Sequence, residues 1–300
     1  MIHRPFWGGV VPRSRFVPLA ALLLLSLIWG YNWVVMKVAI ADCPPLLFAA
    51  LRVLGGALAL LPVLGVARRP LAMPPLSYLV PLGLLQSTAF VGLALWALQY
   101  AGAGPTAVLV YMMPIWLTLL AWPFLGEPVR GRQWAALGLA GAGVLAIVAP
   151  WAPRHAPVAG TVLALLAGLA WAVSALWQKR RAPPGFDLWV VTFWQMTLGG
   201  MALAVIAILV EPWHIHWTAG FIAALVYNAV PGTALALVLW AYAVDNLPTG
   251  IAGMATLVTP LIGALAAWWQ LGERPSGTEV GGMVAILMSL ALLVSAQWLA

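Results

Sequence analysis

Charged side chains are scarce in this chain: 7% of its 300 residues, where an ordinary soluble domain carries about 25%. So little charge cannot cover a water-facing surface, which argues against a soluble enzyme or binding module. The single cysteine, Cys43, excludes an intrachain disulfide and a cysteine-rich metal site. The seven acids, Asp42, Glu127, Asp187, Glu211, Asp245, Glu273 and Glu279, fall in loops or at the ends of apolar runs, as do the four histidines. A membrane-embedded enzyme would need such groups clustered in the bilayer interior. Also missing are His-Glu-x-x-His, Gly-x-Ser-x-Gly and the P-loop. The Ala-Gly-Ala-Gly run at 101–104 joins two apolar runs rather than following a strand, so it is no dinucleotide site. No enzyme, cofactor or metal is implied.

Apolar residues make up 64% of the chain. A helix of about 20 apolar residues crosses the roughly 30 Å hydrocarbon core of a bilayer. Punctuation by Gly, Pro and charge yields ten such stretches: 17–39, 46–66, 76–99, 104–125, 131–150, 158–178, 188–210, 218–243, 248–271 and 277–298. The expected fold is an all-α membrane protein of ten transmembrane helices, since barrel strands need only about ten alternating residues. The first run follows Arg4, Arg13 and Arg15 as a signal peptide would. It continues past Trp29 without an Ala-x-Ala-like cleavage site and is retained as the first helix.

The net charge of +7 reads as topology rather than nucleic-acid binding. Arg4, Arg13, Arg15, Arg68, Arg69, Arg130, Arg132, Lys179, Arg180 and Arg181 fall on the side of the N-terminus, and only Arg154 and Arg274 on the other. Positive residues stay inside, so both termini are expected in the cytoplasm. Lys37 and Arg52 lie within spans or at their edges.

The chain repeats itself. Leu95-Trp96-Ala97 and Leu239-Trp240-Ala241, Pro105-Thr106 and Pro248-Thr249, and Leu125-Gly126-Glu127 and Leu271-Gly272-Glu273 recur at an offset of about 144 residues. Trp29 answers to Trp171, Lys37 to Lys179, Gly55-Gly56 to Gly199-Gly200 and Pro114 to Pro260. The spans divide five and five, into 1–152 and 153–300. With an odd number of crossings per half, the second copy enters from the opposite side. Such inverted repeats serve alternating access, with a substrate site near the midplane.

Trp29-Gly30-x-Asn32 with Lys37, Arg52 in the second span and the two Leu-Gly-Glu endings resemble the EamA-type branch of the drug/metabolite transporter superfamily. The aromatic richness is similar to its bacterial aromatic amino acid exporters (YddG-like). Val53 follows Arg52 where that family often has an aromatic residue. The resemblance implies a multi-pass transporter of the bacterial inner membrane, exporting aromatic or apolar amino acids. An exporter of drugs or cationic dyes on the same fold, or a channel-like facilitator, is the alternative.

In a helix Trp29, Asn32, Trp33, Met36 and Lys37 share one face. Their counterparts are Trp171, Ser174, Ala175, Gln178 and Lys179. A lysine at mid-bilayer costs about 2.5–3.5 kcal/mol. Lys37, near its span's end, either snorkels as an interfacial anchor or joins the site. Asn32, deeper on that face, calls for a wet cavity or an interhelical hydrogen bond. Trp29, Trp96, Tyr111 and Trp171 would wall the cavity, stacking on rings or holding an ammonium. Tyr78, Gln86, Tyr227 and Asn228, on the third and eighth spans, would bind a substrate's charged ends. Trp151, Trp213, Trp217, Trp268 and Trp269, close to span ends, suit interfacial belts.

Pro114 and Pro260 break the helical ladder, as paired gates or as static kinks. Gly55-Gly56, Gly199-Gly200 and Gly138-x-x-x-Ala142 would bring helices close. With no titratable acid or histidine inside a span, a facilitator or exchanger is expected rather than a proton-coupled pump.

Overall fold

A computed structural model of the protein describes residues 16–149, 158–247 and 255–298. Arg4, Arg13, Arg15, Trp151, Arg154 and Pro248-Thr249 lie outside the described residues. Within them the chain forms helical rods joined by short turns: α1 (Phe16–Ala39), α2 (Pro45–Val66), α3 (Leu76–Tyr100), α4 (Ala103–Leu125) and α5 (Arg132–Val148). The second half follows with α6 (Val158–Arg181), α7 (Leu188–Val210), α8 (Ala219–Ala229, Val230–Leu235 and Ala236–Asn246 in succession), α9 (Ala255–Leu271) and α10 (Gly277–Trp298). Eight of these are long and apolar enough to cross a membrane, while α5 and α9 are shorter apolar helices of 17 residues.

Burial runs opposite to that of a soluble domain. Asn32, Ser87, Thr106, Ser174, Gln195, Asn228 and Ser289 are buried, whereas Leu58, Val205, Leu209 and Trp269 are exposed. Apolar outside and polar inside is the arrangement lipid solvation demands. The chain is a multi-pass membrane protein. Trp213, Trp217 and Trp268 are also exposed near helix ends, where amphipathic rings sit at a bilayer interface.

Packing follows one rule: exchanging α1–α5 for α6–α10 leaves the set of main contacts unchanged. α1 packs on α8 and α9 as α6 packs on α3 and α4, and α2 packs on α8 as α7 does on α3. The pairs α2/α7, α4/α9 and α5/α10 map onto themselves. α2 and α7 run antiparallel. Arg69, after α2, pairs with Asp187, before α7, at 3.0 Å. At the other end Glu211, after α7, accepts from Leu46 N and Leu47 N at the start of α2.

The two ends are built differently. At one, which is rich in basic residues, ion pairs join the loops, Arg69–Asp187 and Lys179–Glu127 at 2.8 Å, and Asp187 also caps α7 by accepting from Trp189 N. At the far end carboxylates cap helix starts: Glu211 on α2, and Glu273 on Ala103 N and Gly104 N of α4. There too Thr218 donates to Asp42 at 2.8 Å, which ties the start of α8 to the α1–α2 turn. Cys43 is buried in that turn. Burial first, then Glu211 and Asp42, push its thiol up to about 12, so it stays protonated and unreactive at neutral pH.

Small residues set the closest approaches, but not all at the expected places. A Cβ on Gly199 would stand 2.5 Å from Ser87 Cβ, and one on Gly56 would stand 2.8 Å from Met196 and Thr233. Gly138 has open space beside it. The α5–α10 contact uses Gly143 instead, where a Cβ would meet Ile286 at 2.7 Å and Gly282 O at 2.8 Å. Which small residue is used depends on the turn each helix offers its neighbour, and composition alone does not reveal that.

Candidate functional site

Two helices carry a π-helical turn at equivalent places, Leu84–Ala89 in α3 and Val230–Leu235 in α8. Each widens the helix and leaves carbonyls poorly partnered. In both, a threonine hydroxyl bonds the carbonyl five residues back: Thr88 to Gly83 O at 3.4 Å and Thr233 to Asn228 O at 2.8 Å. Thr88 also donates to Gly199 O of α7 at 2.9 Å. An aromatic and polar cluster is assembled against each turn.

The first cluster lies where α1 meets α8. Trp29 Nε1 donates to Gly232 O at 3.1 Å, and the Tyr227 hydroxyl donates to Ile28 O at 2.9 Å. Trp240 lies 6.1 Å from the Trp29 ring, and Tyr31 meets Tyr227 edge-on at 5.9 Å. Asn32 is seated against Gly232, whose missing Cβ would be 3.5 Å from Asn32 Oδ1. Asn228 donates to Ala224 O at 2.9 Å. The Oδ1 atoms of both Asn32 and Asn228 are buried without a donor. An unmet buried acceptor costs about 1–3 kcal/mol. Trp33, beneath them, packs its ring edge on Gly263 of α9.

The second cluster lies where α6 meets α3 and α4. Trp171 stacks on Phe90 at 5.0 Å and takes Tyr111 edge-on at 5.6 Å. Tyr111 is hydrogen-bonded to the Thr259 side chain of α9. Ser174 Oγ lies between Gln86 Oε1 and Trp171 O. The Ser174–Gln86 contact answers to Asn32–Gly232 in the other half. Gln178, one turn further along α6, is half-buried.

Other candidates are engaged elsewhere. Lys37 Nζ donates to the carbonyls of Leu98 and Ala101, the latter at 3.0 Å. A cation there complements the carbonyl end of α3, beside the Glu273 cap. Tyr78 is buried with Leu79, Leu82 and Val191, and its carbonyl accepts from Trp177 Nε1 at 3.1 Å. Trp96 lines an open apolar groove of about 440 Å³ with Tyr100, Ala159, Val162 and Leu163. Neither Tyr78 nor Trp96 joins a cluster.

The two prolines differ. Ahead of Pro114, α4 loses helical geometry at Tyr111–Met112, with ψ near zero. Proline removes the donor that Val110 O would use, and Gly168 of α6 packs there, its missing Cβ 2.8 Å from that oxygen. Pro260 lies inside an unbroken stretch of α9.

Arg52 stands out among the charges. It lies seven residues into α2, about 10 Å along the axis, on one face with Gly55, Gly56, Ala59 and Val63. That face meets α8, with Gly55 against Ala229 and Gly56 against Thr233. Its Nη1 approaches Met36 Sδ at 2.6 Å, and no carboxylate pairs with it among the described residues. A lone cation in a span costs about 2.5–3.5 kcal/mol on insertion scales.

Comparison with known proteins accounts for this doubled architecture. The model of the EamA-like transporter family matches residues 17–149 and again residues 158–295. The chain belongs to the EamA-like transporter family. An uncharacterized transporter, YvbV, of Bacillus subtilis (strain 168) is 32% identical over 288 residues, covering 94% of this chain and 92% of its own length. A probable amino-acid metabolite efflux pump of Escherichia coli (strain K12) is 27% identical, covering 91% of this chain and 93% of its own. A crystal structure with a TM-score of 0.60 and 21% identity covers 93% of this chain and 98% of the solved one, a likeness of fold. In this EamA-like transporter the π turns, Thr233 and the Asn32–Gly232 seat were not foreseen from sequence. Arg52 is legible as a charge in an apolar run, whereas its lack of an acidic partner among the described residues follows from the packing of α2.

Proposed function

We propose that the protein is an exporter of aromatic and apolar amino acids in a bacterial inner membrane. It would work by alternating access between two inverted five-helix repeats, 1–152 and 153–300, with both termini cytoplasmic. The observation that carries this reading is the pair of matched clusters, Trp29/Asn32/Tyr227/Asn228 and Trp171/Ser174/Gln86/Tyr111, each beside a π turn. Aromatic walls with a few polar groups suit a ring-bearing zwitterion. The antiparallel course of α2 and α7 supports opposite threading of the halves, and the basic residues at the Arg69/Lys179 end support a cytoplasmic face there. Two names agree with this: the probable amino-acid metabolite efflux pump, and YedA of Escherichia coli (strain K12), called an uncharacterized inner membrane transporter and 24% identical.

The described carboxylates fit an exchanger or facilitator rather than a proton pump. Glu211 and Glu273 cap helices, and Glu127 and Asp187 are paired with cations. Counterflow of radiolabelled Phe, Trp, Ala and Thr in proteoliposomes tests the function. Saturable, trans-stimulated uptake of Phe and Trp is expected. Flux without trans-stimulation would point to a channel, and movement of cationic dyes alone to a drug exporter.

A further inference from the structure

Three groups with unused bonding capacity lie at similar depth on α1, α2 and α8, where α8 packs on both of the others. The Asp42–Thr218 bond brings the starts of α2 and α8 to the α1–α2 turn. From that end Asn32 lies seven residues back along α1, Arg52 seven residues into α2 and Asn228 nine into α8. At 1.5 Å per residue all three are about 10–14 Å deep. Their needs are complementary. Among the described residues Arg52 offers donors and meets only the Met36 sulfur, while Asn32 and Asn228 hold acceptor oxygens that no donor reaches. The rings of Trp29 and Tyr227 stand beside them, fixed by hydrogen bonds to Gly232 O and Ile28 O.

We propose that Arg52, Asn32 and Asn228 form a subsite for the charged ends of an α-amino acid. The guanidinium takes the carboxylate, and the two amide oxygens take the ammonium. This rests on the amino acid reading above and names its recognition chemistry. The other half lacks the guanidinium, although Gln195 Oε1 of α7 is likewise buried without a partner among the described residues. Its Gln86 Oε1 accepts from the Ser174 hydroxyl, and Met196 occupies the place of Arg52 when Gly200 is aligned with Gly56. The zwitterion is therefore held on one side of the pseudo-twofold, and its side chain is left to the aromatic walls. An unpaired guanidinium also disfavours a cationic dye in the same place.

The test is counterflow in proteoliposomes with phenylalanine and phenylalaninamide, which lacks the carboxylate, using wild type, Arg52→Gln and Arg52→Lys. A charge-assisted bond of this kind predicts about tenfold or greater preference of wild type for phenylalanine. Arg52→Gln should lose about as much phenylalanine flux and bring the two solutes within roughly twofold. Arg52→Lys, which keeps charge but not the planar fork, should fall between them. Equal use of both solutes by wild type would overturn the proposal, even if Arg52→Gln failed to fold. So would phenylalanine flux unchanged in a folded Arg52→Gln; either result would leave the amino acid reading standing. If wild type moved none of Phe, Trp, Ala and Thr, that reading would fall and this one with it.

Discussion

Asn32 distinguishes a working face from a packing face, because the two roles respond oppositely to one substitution. Its side-chain oxygen is buried without a donor, so a leucine of similar volume removes a polar group that the fold itself does not satisfy. Asn32→Leu should leave the apparent melting temperature unchanged or raised, since up to about 1–3 kcal/mol of unmet polarity is relieved. Counterflow of phenylalanine should meanwhile fall about tenfold or more. Wild-type flux in the variant would assign Asn32 to packing. Asn32 was legible in the sequence because an amide in an apolar run needs an explanation. Lys37 was ambiguous for the opposite reason: a long side chain near a helix end can reach several places, and here it reaches the last carbonyls of α3. Tyr78 and Trp96 show what aromatic identity leaves open, since ring type says nothing about which neighbour the ring meets.

Among elements, closeness is set by single glycines whose importance depends on helix rotation. Gly199 presses on Ser87 and Gly83 of α3, whereas Gly138 faces open space. Gly199→Val should therefore lower stability by about 1–3 kcal/mol or more through overpacking. Gly138→Val should stay within about 0.5 kcal/mol, as expected of a site without contacts. Thermal unfolding in detergent measures both, and equal effects would mean that α3 and α7 are not locked at Gly199. The rods themselves were readable, because hydropathy over about 20 residues reports the membrane directly. Helix rotation was not, and Gly143 rather than Gly138 took the α5–α10 contact. The π turns were also hidden. A shift of bonding from i−4 to i−5 depends on side-chain hydroxyls such as Thr88 and Thr233 and on the facing helix, which local propensity does not encode.

For the whole molecule, the two Leu-Gly-Glu endings are matched in sequence but not in state. Glu273 is locked onto the Ala103 and Gly104 amides, and a Cβ on Gly102 would meet its Oε2 at 2.6 Å. Glu127 instead pairs with Lys179, and both side chains are 59% exposed. A carboxylate capping a helix start contributes about 0.5–2 kcal/mol, and an exposed ion pair about 0–1 kcal/mol. Glu273→Gln should accordingly lower the melting temperature clearly, and Glu127→Gln hardly at all. Transport should not share that asymmetry. If the halves exchange roles during each cycle, each end must close once per turnover, so both substitutions should slow counterflow to a similar degree. Equal losses of stability would mean that the Glu273 cap contributes no more than the exposed Glu127–Lys179 pair. A transport defect confined to Glu273→Gln would mean that Glu127 never forms the matching cap, and exchange of roles between the halves would be abandoned.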